Sequence, residues 1–486
     1  MSEQASGLLY QLNLVNEDSI LAAADCVKKI SAEKLETVRF LFVDQHGVLR
    51  GKSLVADAAA SAFKNGITAP SSLLLKDTSS RTVFDVWGQD AGFGEDVLTG
   101  AADMLLVPAP ETFRQLPWSP HSAWVLCDVV QNNGSPIPFA SRTLLSDCVE
   151  KLHSLNLELI VGLEIEFHVF KLDEEALTHN QGGMPGLPPK TLPLNQGYQL
   201  LGEVAYAAAE PLLDDLRRQS QLLGLPVRST EVEFGPSQFE FTFDPAAVSV
   251  HAENMVLFRT LIKEVCARRN LHATFMCRPQ LPNCAASGWH IHQSLVARDT
   301  GENLFMPRND GQQGNDLTPE ASGWLAGLLQ HARASSILCA PTVNAYGRYK
   351  PGQLAPDRIQ WSHDNKGSML RAILKSQQPA SRIENRAPEP AANPYYALAS
   401  QILSGLDGLE NKLTAPLPVS TPYNSDSLLL PESLNEANEM FATNEFYKSA
   451  LGVTTCNYIS GLKAAEWQRY ISDKTDWEQR EYFSLF

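Results

Sequence analysis

At residues 162–167 the sequence reads Gly-Leu-Glu-Ile-Glu-Phe, in which acidic and apolar side chains alternate. Side chains two positions apart point to the same face of an extended strand. Glu164 and Glu166 are therefore predicted to share one surface of a strand, while Leu163 and Ile165 pack behind it. Two carboxylates on one partly buried face are unfavourable unless a cation lies among them.

Four further segments place ionisable side chains at short intervals between apolar ones. They are Glu231 and Glu233; Glu240 between Phe239 and Phe241; His290 and His292; and Arg382, Glu384 and Arg386. Carboxylate and imidazole together suit a divalent metal ion. Guanidinium groups beside them suit an anion such as phosphate, which arginine binds in a bidentate fashion. The five segments together predict a metal-dependent active site that handles an anionic substrate.

The composition is typical of a soluble globular protein, with 44% hydrophobic and 19% charged residues in a chain of 486. A formal net charge of −16 argues against a nucleic-acid partner, which needs a clustered basic face. The sequence has no signal-peptide pattern and no apolar run of the ~18 residues that span a bilayer. The eight cysteines show no CxxC spacing, which favours reduced thiols. We therefore expect a cytoplasmic protein with no membrane partner.

The order of elements predicts an α+β fold with two domains. Residues 1–132 are expected to form a small, β-grasp-like domain with a helical extension at its N-terminus. Residues 137–486 are expected to form a large domain whose mainly antiparallel sheet carries the site. Residues 180–196, rich in proline and glycine, are expected to form a long loop beside that site. The predicted helical regions are 18–37, 204–223, 251–269, 320–338, 394–412 and 430–480, the last of them peripheral.

Five segments, in this order, resemble signature segments of glutamine synthetase of type I. They are Gly162-Leu163-Glu164-Ile165-Glu166-Phe167, Glu233-Phe234-Gly235-Pro236-Ser237-Gln238-Phe239-Glu240, Ser287-Gly288-Trp289-His290-Ile291-His292-Gln293-Ser294, Asn344-Ala345-Tyr346-Gly347-Arg348, and Arg382-Ile383-Glu384-Asn385-Arg386 followed by Asn393-Pro394-Tyr395. Each segment alone is common, but five at compatible spacings are specific. Asp103 and Tyr198 also fall where the family has an Asp and a Tyr.

The resemblance implies a metal site and a nucleotide site on the large domain. Two or three Mg²⁺ or Mn²⁺ ions would be held by two sets of ligands, Glu166, Glu233 and Glu240, and Glu164, His290 and Glu384. ATP, as co-substrate, would be contacted by His292, Ser294, Lys366, Arg371 and Arg382. The substrates would be bound by Glu166, Gly288, Arg348, Arg386, Tyr198, Ala69 and Leu354. Arg348, Arg371 and Arg386 would act in catalysis.

The resemblance also implies a reaction in two steps. The γ-carboxylate of glutamate attacks the γ-phosphate of ATP to give an acyl phosphate, and an amine then displaces the phosphate. The first step needs cations, because an anion approaches a polyanion. The second needs an uncharged amine and a site that excludes water. Family members assemble as stacked rings, so a ring-shaped homo-oligomer, of dodecamer size, is expected, with sites between subunits.

Two positions of the family's amine site differ in this chain. Members that use ammonia carry an Asp in a D-G-S-S segment of the neighbouring subunit and a Glu in a P-G-x-E-A-P flap. Ala69 stands in the first position here, and Leu354 stands in the second. Without these carboxylates an ammonium ion is neither attracted nor deprotonated, whereas a weakly basic arylamine is already neutral. The differences favour a bulky or aromatic amine, as in γ-glutamylanilide synthases, unless another acid replaces the missing pair, for which the candidates are Asp77, Asp85 and Asp357.

Other departures leave alternatives open. Ala285 replaces an amide that would contact glutamate, and Lys366 replaces an arginine that would contact phosphate. Glutamine synthetase and γ-glutamylpolyamine synthetase remain alternatives within the ligases. A catalytically inactive scaffold and a metal-dependent hydrolase are the alternatives of another class. All six predicted metal ligands are present, which favours a working ligase, and Glu231 is expected to be a spare surface acid.

Overall fold

A computed structural model describes residues 7–88, 98–174, 176–307, 317–352, 355–473, 475, 480–481 and 483–484. Within these residues the chain forms two β-sheets, the first built from the N-terminal part and the second from the remainder. Helices accompany both sheets. The predicted α+β fold, with a small N-terminal domain before a larger one, is confirmed.

The N-terminal sheet contains six strands within the described residues. These are β1 (Thr37–Val43), β2 (Leu49–Val55), β3 (Ile67–Pro70), β4 (Asp103–Pro108), β5 (Arg114–Leu116) and β6 (Ser119–Gln131). The strand order is β2-β1-β6-β4-β3, with β5 beside β6, and β1 runs parallel to β6. The accompanying helices are α1 (Leu8–Gln11), α2 (Glu17–Ala32) and α3 (Ala59–Asn65).

The turn after β1 joins the N-terminal sheet to the rest of the molecule. The Asp44 carboxylate accepts hydrogen bonds from two backbone N–H groups of the turn, both at 2.9 Å. Gly47 has a φ of +74°, and a Cβ there would lie 2.7 Å from the Arg259 guanidinium. That guanidinium donates to the Gly47 carbonyl at 2.6 Å. Glycine is therefore required here, both for the backbone conformation and for the close approach of Arg259.

The large sheet contains ten strands within the described residues. These are β7 (Leu157–Leu172), β8 (Thr191–Pro193), β9 (Val227–Val232), β10 (Gln238–Phe243), β11 (Ala246–Ala247), β12 (Leu271–Thr274), β13 (Trp289–Ala297), β14 (Trp361–His363), β15 (Leu370–Ile373) and β16 (Arg382–Asn385). The order is β14-β15-β16-β13-β7-β10-β9, with β8, β11 and β12 also paired to β7. The sheet is antiparallel except for the β14–β15 pair. The long strand β7 is therefore its centre.

Helices cover the apolar face of the large sheet. They are α4 (Ser141–Ser154), α5 (Glu203–Leu222), α6 (Val248–Ala267), α7 (Pro319–Gln330), α8 (Ala332–Cys339), α9 (Pro394–Glu410), α10 (Leu434–Ala442), α11 (Glu445–Leu451) and α12 (Val453–Ser472). Phe167 of β7 is fully buried and meets Phe258 of α6 edge-to-face, with ring centroids 5.8 Å apart. The apolar members of the alternating pattern thus face the helices, which leaves the acidic members on the other face of β7.

The observed helices differ from the predicted ones in two places. Helix α2 ends at Ala32, and the strand β1 begins at Thr37, so the predicted helix over 18–37 is too long. The predicted helix over 320–338 is two helices, because α7 ends before His331 and α8 begins after it. The other predicted helices are present with shifted ends.

The region 430–480 is helical as predicted, but the prediction that it is peripheral is wrong. Phe441 and Tyr447 are fully buried in the main apolar core. The Tyr458 hydroxyl of α12 donates to the Leu74 carbonyl of the N-terminal domain at 2.5 Å. These helices therefore join the two parts of the chain.

Three further points concern the chain as a whole. Strand β6 ends at Gln131 and α4 begins at Ser141, so the predicted domain boundary at 132–137 lies between them and stays a prediction. None of the eight cysteines forms a disulfide. Among the helices of the described residues, none is both long enough and apolar enough to cross a membrane.

Candidate active site

The acidic residues predicted from the sequence meet on three neighbouring strands. Strand β10 pairs with β7 so that Glu240 lies opposite Glu166, and β9 places Glu231 opposite Glu240. Glu233 follows β9, and its carboxylate accepts a hydrogen bond from the Phe234 N–H at 3.0 Å. Side chains of directly opposed residues are close enough to interact. We call Glu166, Glu231, Glu233 and Glu240 the carboxyl-rich half of the site.

The opposite edge of β7 carries a second group of ionisable residues. Strand β13 places His290 opposite Glu164, and β16 places Glu384 opposite His292. His290 Nδ1 lies 3.2 Å from one Glu164 oxygen, and His292 Nε2 lies 2.8 Å from the other. We call the following residues the arginine-flanked half: Glu164, His290, His292, Arg371, Glu384 and Arg386.

Two guanidinium groups neutralise Glu384 in the arginine-flanked half. Glu384 is fully buried. Arg386 Nη1 lies 2.5 Å from one of its oxygens, and Arg371 Nη1 lies 3.0 Å from the other. Burial alone would raise the pKa of Glu384, but Arg386 and the two histidines hold it below its usual value. For Glu164, burial is likewise outweighed by the hydrogen bonds to His290 and His292, which lower its pKa.

The carboxyl-rich half has the opposite electrostatics. Burial, with the charge of Glu233, raises the pKa of Glu166 to about 8. Burial and the charges of Glu166 and Glu164 raise the pKa of Glu240 well above its usual value. Burial also raises the pKa of Glu233, against the hydrogen bond from the Phe234 N–H. The protein therefore supplies too little positive charge for the carboxylates of this half.

The donor atoms fit a divalent metal ion such as Mg²⁺ or Mn²⁺. In each of three sets of residues, the donor atoms lie within 4.8 Å of one another. The sets are Glu164, Glu240 and His290; Glu164, His292 and Glu384; and Glu231, Glu233 and Glu240. Glu166 belongs to none of these sets, but its carboxylate lies 3.8 Å from His290 Nε2. Carboxylate and imidazole donors suit these ions, and a cation would relieve the repulsion that raises the carboxyl pKa values. All six predicted ligands are thus brought together, although grouped differently from the two predicted sets.

A cavity of about 630 Å³ opens beside Glu164 and contains three of the predicted nucleotide contacts, His292, Ser294 and Arg382. Arg382 Nε donates to His292 Nδ1 at 3.0 Å, so the imidazole keeps its hydrogen on Nε2 and donates it to Glu164. The cavity is also lined by Arg228 and Phe243. It therefore offers guanidinium groups for an anion and an aromatic ring, beside the carboxylates of Glu164, Glu231 and Glu302. The other two predicted contacts, Lys366 and Arg371, are not among its lining residues.

Arg348 is buried next to the face that carries the predicted metal ligands. It ends a short 3₁₀ helix, Ala345–Arg348, and its guanidinium donates to the backbone carbonyls of Ala387 at 3.0 Å and Arg386 at 2.8 Å. A Cβ on Gly288 would lie 2.5 Å from Arg348 Nη2 and 2.9 Å from His290 Nε2. Gly288 is therefore needed for space between a predicted substrate-binding arginine and a predicted metal ligand.

Tyr198 lies beside the turn that carries Glu233. Its hydroxyl donates to the Asn283 carbonyl at 3.0 Å. Its ring meets the Phe234 ring edge-to-face, with centroids 5.0 Å apart, and both side chains are about half exposed. The two rings thus form an exposed aromatic surface next to a predicted metal ligand.

Of the two positions predicted to set the amine specificity, the structure describes one. Ala69 is buried on β3 of the N-terminal sheet, where it lies opposite Met104. Leu354 lies outside the described residues. The role of both positions therefore stays a prediction.

The predicted long loop at 180–196 reaches the site through its last residues. It contains the short strand β8 and otherwise little regular structure. The Leu194 N–H donates to Ser237 Oγ at 2.7 Å, and the Ser237 N–H donates to the Asn195 side chain at 2.8 Å. The loop is thereby bound to the turn between Glu233 and Glu240.

Two residues of the site are absent from the ligand and substrate-binding sets that the sequence predicts. Glu231, interpreted as a spare surface acid, shares a set of donor atoms with Glu233 and Glu240. Its spacing of two residues from Glu233 was the available signal. Gln238 was given no role, but its buried amide donates to the Glu166 carboxylate at 3.1 Å. Its spacing of two residues from Glu240 was the corresponding signal.

Comparisons with known proteins agree with this geometry. The family model described as the catalytic domain of glutamine synthetase matches residues 139–482. The γ-glutamylanilide synthase of an Acinetobacter species is 36% identical over the full length of both chains. The γ-glutamylethanolamide synthetase GlnA4 of Streptomyces coelicolor is 30% identical, over 93% of this chain and 94% of that protein.

Solved structures give the same result for the fold. The structure titled "GmaS/ADP complex-Conformation 1" aligns with a TM-score of 0.78 and 26% identity, covering 95% of this chain and 100% of the other. A second structure, "Apo GmaS without ligand", aligns with a TM-score of 0.78 and 27% identity, covering 94% and 99%. The family model matches most of the chain, and the relatives match it over nearly its whole length. The chain therefore belongs to the glutamine synthetase family.

Proposed function

We propose that this protein is an ATP-dependent ligase that joins the γ-carboxylate of glutamate to a bulky or aromatic amine. The observation that carries this proposal is the single face on which metal-ligating residues and buried arginines occur together, beside a cavity with cationic and aromatic walls. The two relatives named above are described as making γ-glutamyl amides. The proposed reaction passes through a γ-glutamyl phosphate intermediate.

The arginines and histidines of this site have separate tasks in the first step. His292, Ser294 and Arg382 would bind the phosphates of ATP in the cavity. Arg348 and Arg386 would hold the glutamate carboxylates and the transferring phosphoryl group. Mg²⁺ or Mn²⁺ bound to the carboxylates and imidazole would neutralise phosphate charge. The γ-carboxylate oxygen then forms a bond to the γ-phosphorus, and the bond from that phosphorus to ADP breaks.

In the second step the amine nitrogen attacks the acyl carbon. The C–N bond forms, inorganic phosphate leaves, and the proton of the amine passes to the departing phosphate. Of the acids named above as candidate replacements, Asp77 accepts hydrogen bonds from the backbone of its own turn, and so does Asp85. Asp357 lies 3.8 Å from Arg358 Nε. An amine that is already neutral does not need them.

The exposed rings of Tyr198 and Phe234 support the same choice of amine. Phe234 directly follows Glu233 and Tyr198 packs against it, so an aromatic surface there would be covered by an apolar or aromatic amine rather than by ammonium. We further propose the ring-shaped homo-oligomer of the family, in which the segment around Ala69 would complete the site of a neighbouring subunit.

An amine-panel assay tests the proposal. Purified protein with ATP, Mg²⁺ and glutamate is given ammonium, ethylamine, putrescine, ethanolamine or aniline, and phosphate release and amide mass are measured. We expect aniline to be the best of these amines and ammonium to be poor. Arg386→Ala is the control that should abolish phosphate release with every amine. Preference for ammonium would overturn the aromatic specificity, and no phosphate release with any amine would overturn the ligase assignment with glutamate.

A further inference from the structure

Gln238 is a buried amide whose orientation the structure fixes. It begins β10, is 1% exposed, and lies two positions before Glu240 on the same face of the strand. Its side-chain oxygen accepts a hydrogen bond from the Gly235 N–H at 2.8 Å. Only the oxygen of an amide side chain can accept, so the NH₂ group must point the other way.

The two hydrogens of the Gln238 NH₂ group are shared among three acceptors. Nε2 lies 3.1 Å from Oε2 of Glu166, 3.0 Å from the Ala286 carbonyl and 3.0 Å from Oγ of Ser287. The amide therefore connects three parts of the site: the turn that carries Glu233, the strand that carries Glu166, and the segment that leads into His290.

The hydrogen-bond chain continues to His168. Since Ser287 Oγ accepts from Gln238, its own hydrogen is available to His168 Nδ1, which lies 3.4 Å away. His168 is fully buried on β7, two positions beyond Glu166. A continuous line of side chains thus runs from Glu166 through Gln238 and Ser287 to His168.

We propose that Gln238 is a positioning residue of the metal site, which holds the Glu166 carboxylate in the orientation that a bound divalent ion requires. The amide holds Oε2, and the other oxygen lies 3.8 Å from His290 Nε2, toward the metal-binding face. Ser287 and His168 hold the amide in turn. This inference rests on the metal site of the proposed function. It adds a role to a residue that cannot itself ligate through its NH₂ group.

Hydrogen-bond partners of metal ligands typically change metal affinity by about 10- to 100-fold when they are removed. The cause here is specific. Without the Gln238 amide, the buried Glu166 carboxylate loses a donor and can rotate away from the metal-binding face. The loss should decrease along the line, because each bond further from Glu166 constrains it less directly.

The test is a titration with Mn²⁺ alone, without nucleotide. The concentration of free Mn²⁺ is measured by electron paramagnetic resonance at each point of the titration. We expect Gln238→Leu to weaken Mn²⁺ binding by about 10- to 100-fold, Ser287→Ala to weaken it less, and His168→Leu to weaken it least. Gln238→Glu, which keeps the size of the side chain but cannot donate when ionised, should fail to restore the affinity. That variant also keeps the test valid if Gln238→Leu does not fold.

A second buried glutamine provides the matched control. Gln401 of α9 is 1% exposed and accepts hydrogen bonds from Gln293 at 3.0 Å and Asn385 at 2.8 Å on the helix-covered face of the sheet. Gln401→Leu should lower stability but leave Mn²⁺ affinity unchanged. Equal affinity of wild-type and Gln238→Leu protein, or an equal loss in Gln401→Leu, would overturn the positioning role. Absence of Mn²⁺ binding by the wild type would instead overturn the metal site of the proposed function, and the positioning role with it.

Discussion

The carboxyl-rich half and the arginine-flanked half lie on neighbouring strands of one sheet, yet they shift carboxyl pKa values in opposite directions. Glu384 is the most deeply buried carboxylate of the two halves, but its pKa is lowered because Arg386 is its neighbour. Glu240 is less deeply buried, and its pKa is raised because burial is reinforced by other carboxylates. Depth of burial therefore does not decide the protonation of these groups. The nearest charges do.

The difference shows which part of the site the protein completes by itself. In the arginine-flanked half, two guanidinium groups neutralise Glu384 and two imidazoles hydrogen-bond to Glu164, so we expect this half to be stable without a ligand. In the carboxyl-rich half, the compensating charge must come from outside the chain. A site of this kind is expected to gain stability from a bound divalent ion, whereas the arginine-flanked half is expected to depend on its own ion pairs.

The largest effect is expected from breaking the ion pairs of the arginine-flanked half. Glu384→Gln would leave Arg371 and Arg386 without their buried partner. Removing one partner of a buried ion pair typically lowers the free energy of unfolding by about 3–5 kcal/mol. Urea unfolding of the metal-free protein near neutral pH measures it. A loss below about 1 kcal/mol would show that the arginines do not depend on Glu384.

A carboxylate outside both halves allows the effect of burial on a carboxyl pKa to be measured away from the predicted metal ligands. Glu389 is fully buried, and its hydrogen bonds come from the neutral Thr342, at 2.9 Å from both N–H and Oγ1. Burial raises its pKa to about 7. Because the folded-state pKa exceeds the unfolded value, its contribution to stability is present at low pH and is lost as pH rises through about 7.

Glu389→Gln removes that pH dependence. We expect the free energy of unfolding of the wild type to fall by up to about 3 kcal/mol between pH 5 and pH 8 relative to this variant. The two proteins are compared by urea unfolding across that range, with a chelator present. Parallel stability curves would mean that burial alone does not raise the carboxyl pKa here, and would weaken the same argument for the carboxyl-rich half.

Metal addition tests the carboxyl-rich half directly. Mn²⁺ at one hundred times its dissociation constant should raise the free energy of unfolding by about 2.7 kcal/mol. Glu240→Gln should reduce this gain sharply, because it removes a donor, and should not destabilise the metal-free protein, because it also removes a repelled charge. Thermal or urea unfolding with Mn²⁺ or with a chelator gives both quantities. A metal-free Glu240→Gln protein as unstable as Glu384→Gln would remove the contrast between the halves.

The parts of this site that could be predicted from sequence are those that depend only on the alternation of side chains along a strand. Glu164 and Glu166 share a face because every strand has that geometry, and the same holds for His290 and His292. The partners across strands could not be predicted. That Glu231 lies opposite Glu240 depends on the register of β9 against β10, which the packing of the whole sheet sets. For this reason the sequence alone predicts Glu231 to be a surface acid.

The ends of helices could not be predicted from sequence for a different reason. Residues 33–36 read Glu-Lys-Leu-Glu, all good helix formers, so propensity predicts that α2 continues. In the structure Lys34 has a φ of +51°, and β1 begins at Thr37. Pairing of β1 with β2 and β6 outweighs the local preference. The C-terminal helices were misjudged in the same way, because burial of Tyr458 is decided by residues distant in sequence.

The smallest change in the free energy of unfolding is expected for a solvent-exposed carboxylate of the same ion-pair network. Asp364 is paired with Arg371, but its side chain is 66% exposed. Exposed ion pairs contribute about 0–1 kcal/mol, so Asp364→Asn should change the free energy of unfolding by less than about 1 kcal/mol. Since Arg371 keeps its second partner, Glu384, this variant tests one guanidinium with only its buried partner left. Urea unfolding of Asp364→Asn beside Glu384→Gln therefore isolates solvent exposure. A loss in Asp364→Asn as large as in Glu384→Gln would show that the network acts as one unit, and the stability of the arginine-flanked half would then not come from its buried pairs alone.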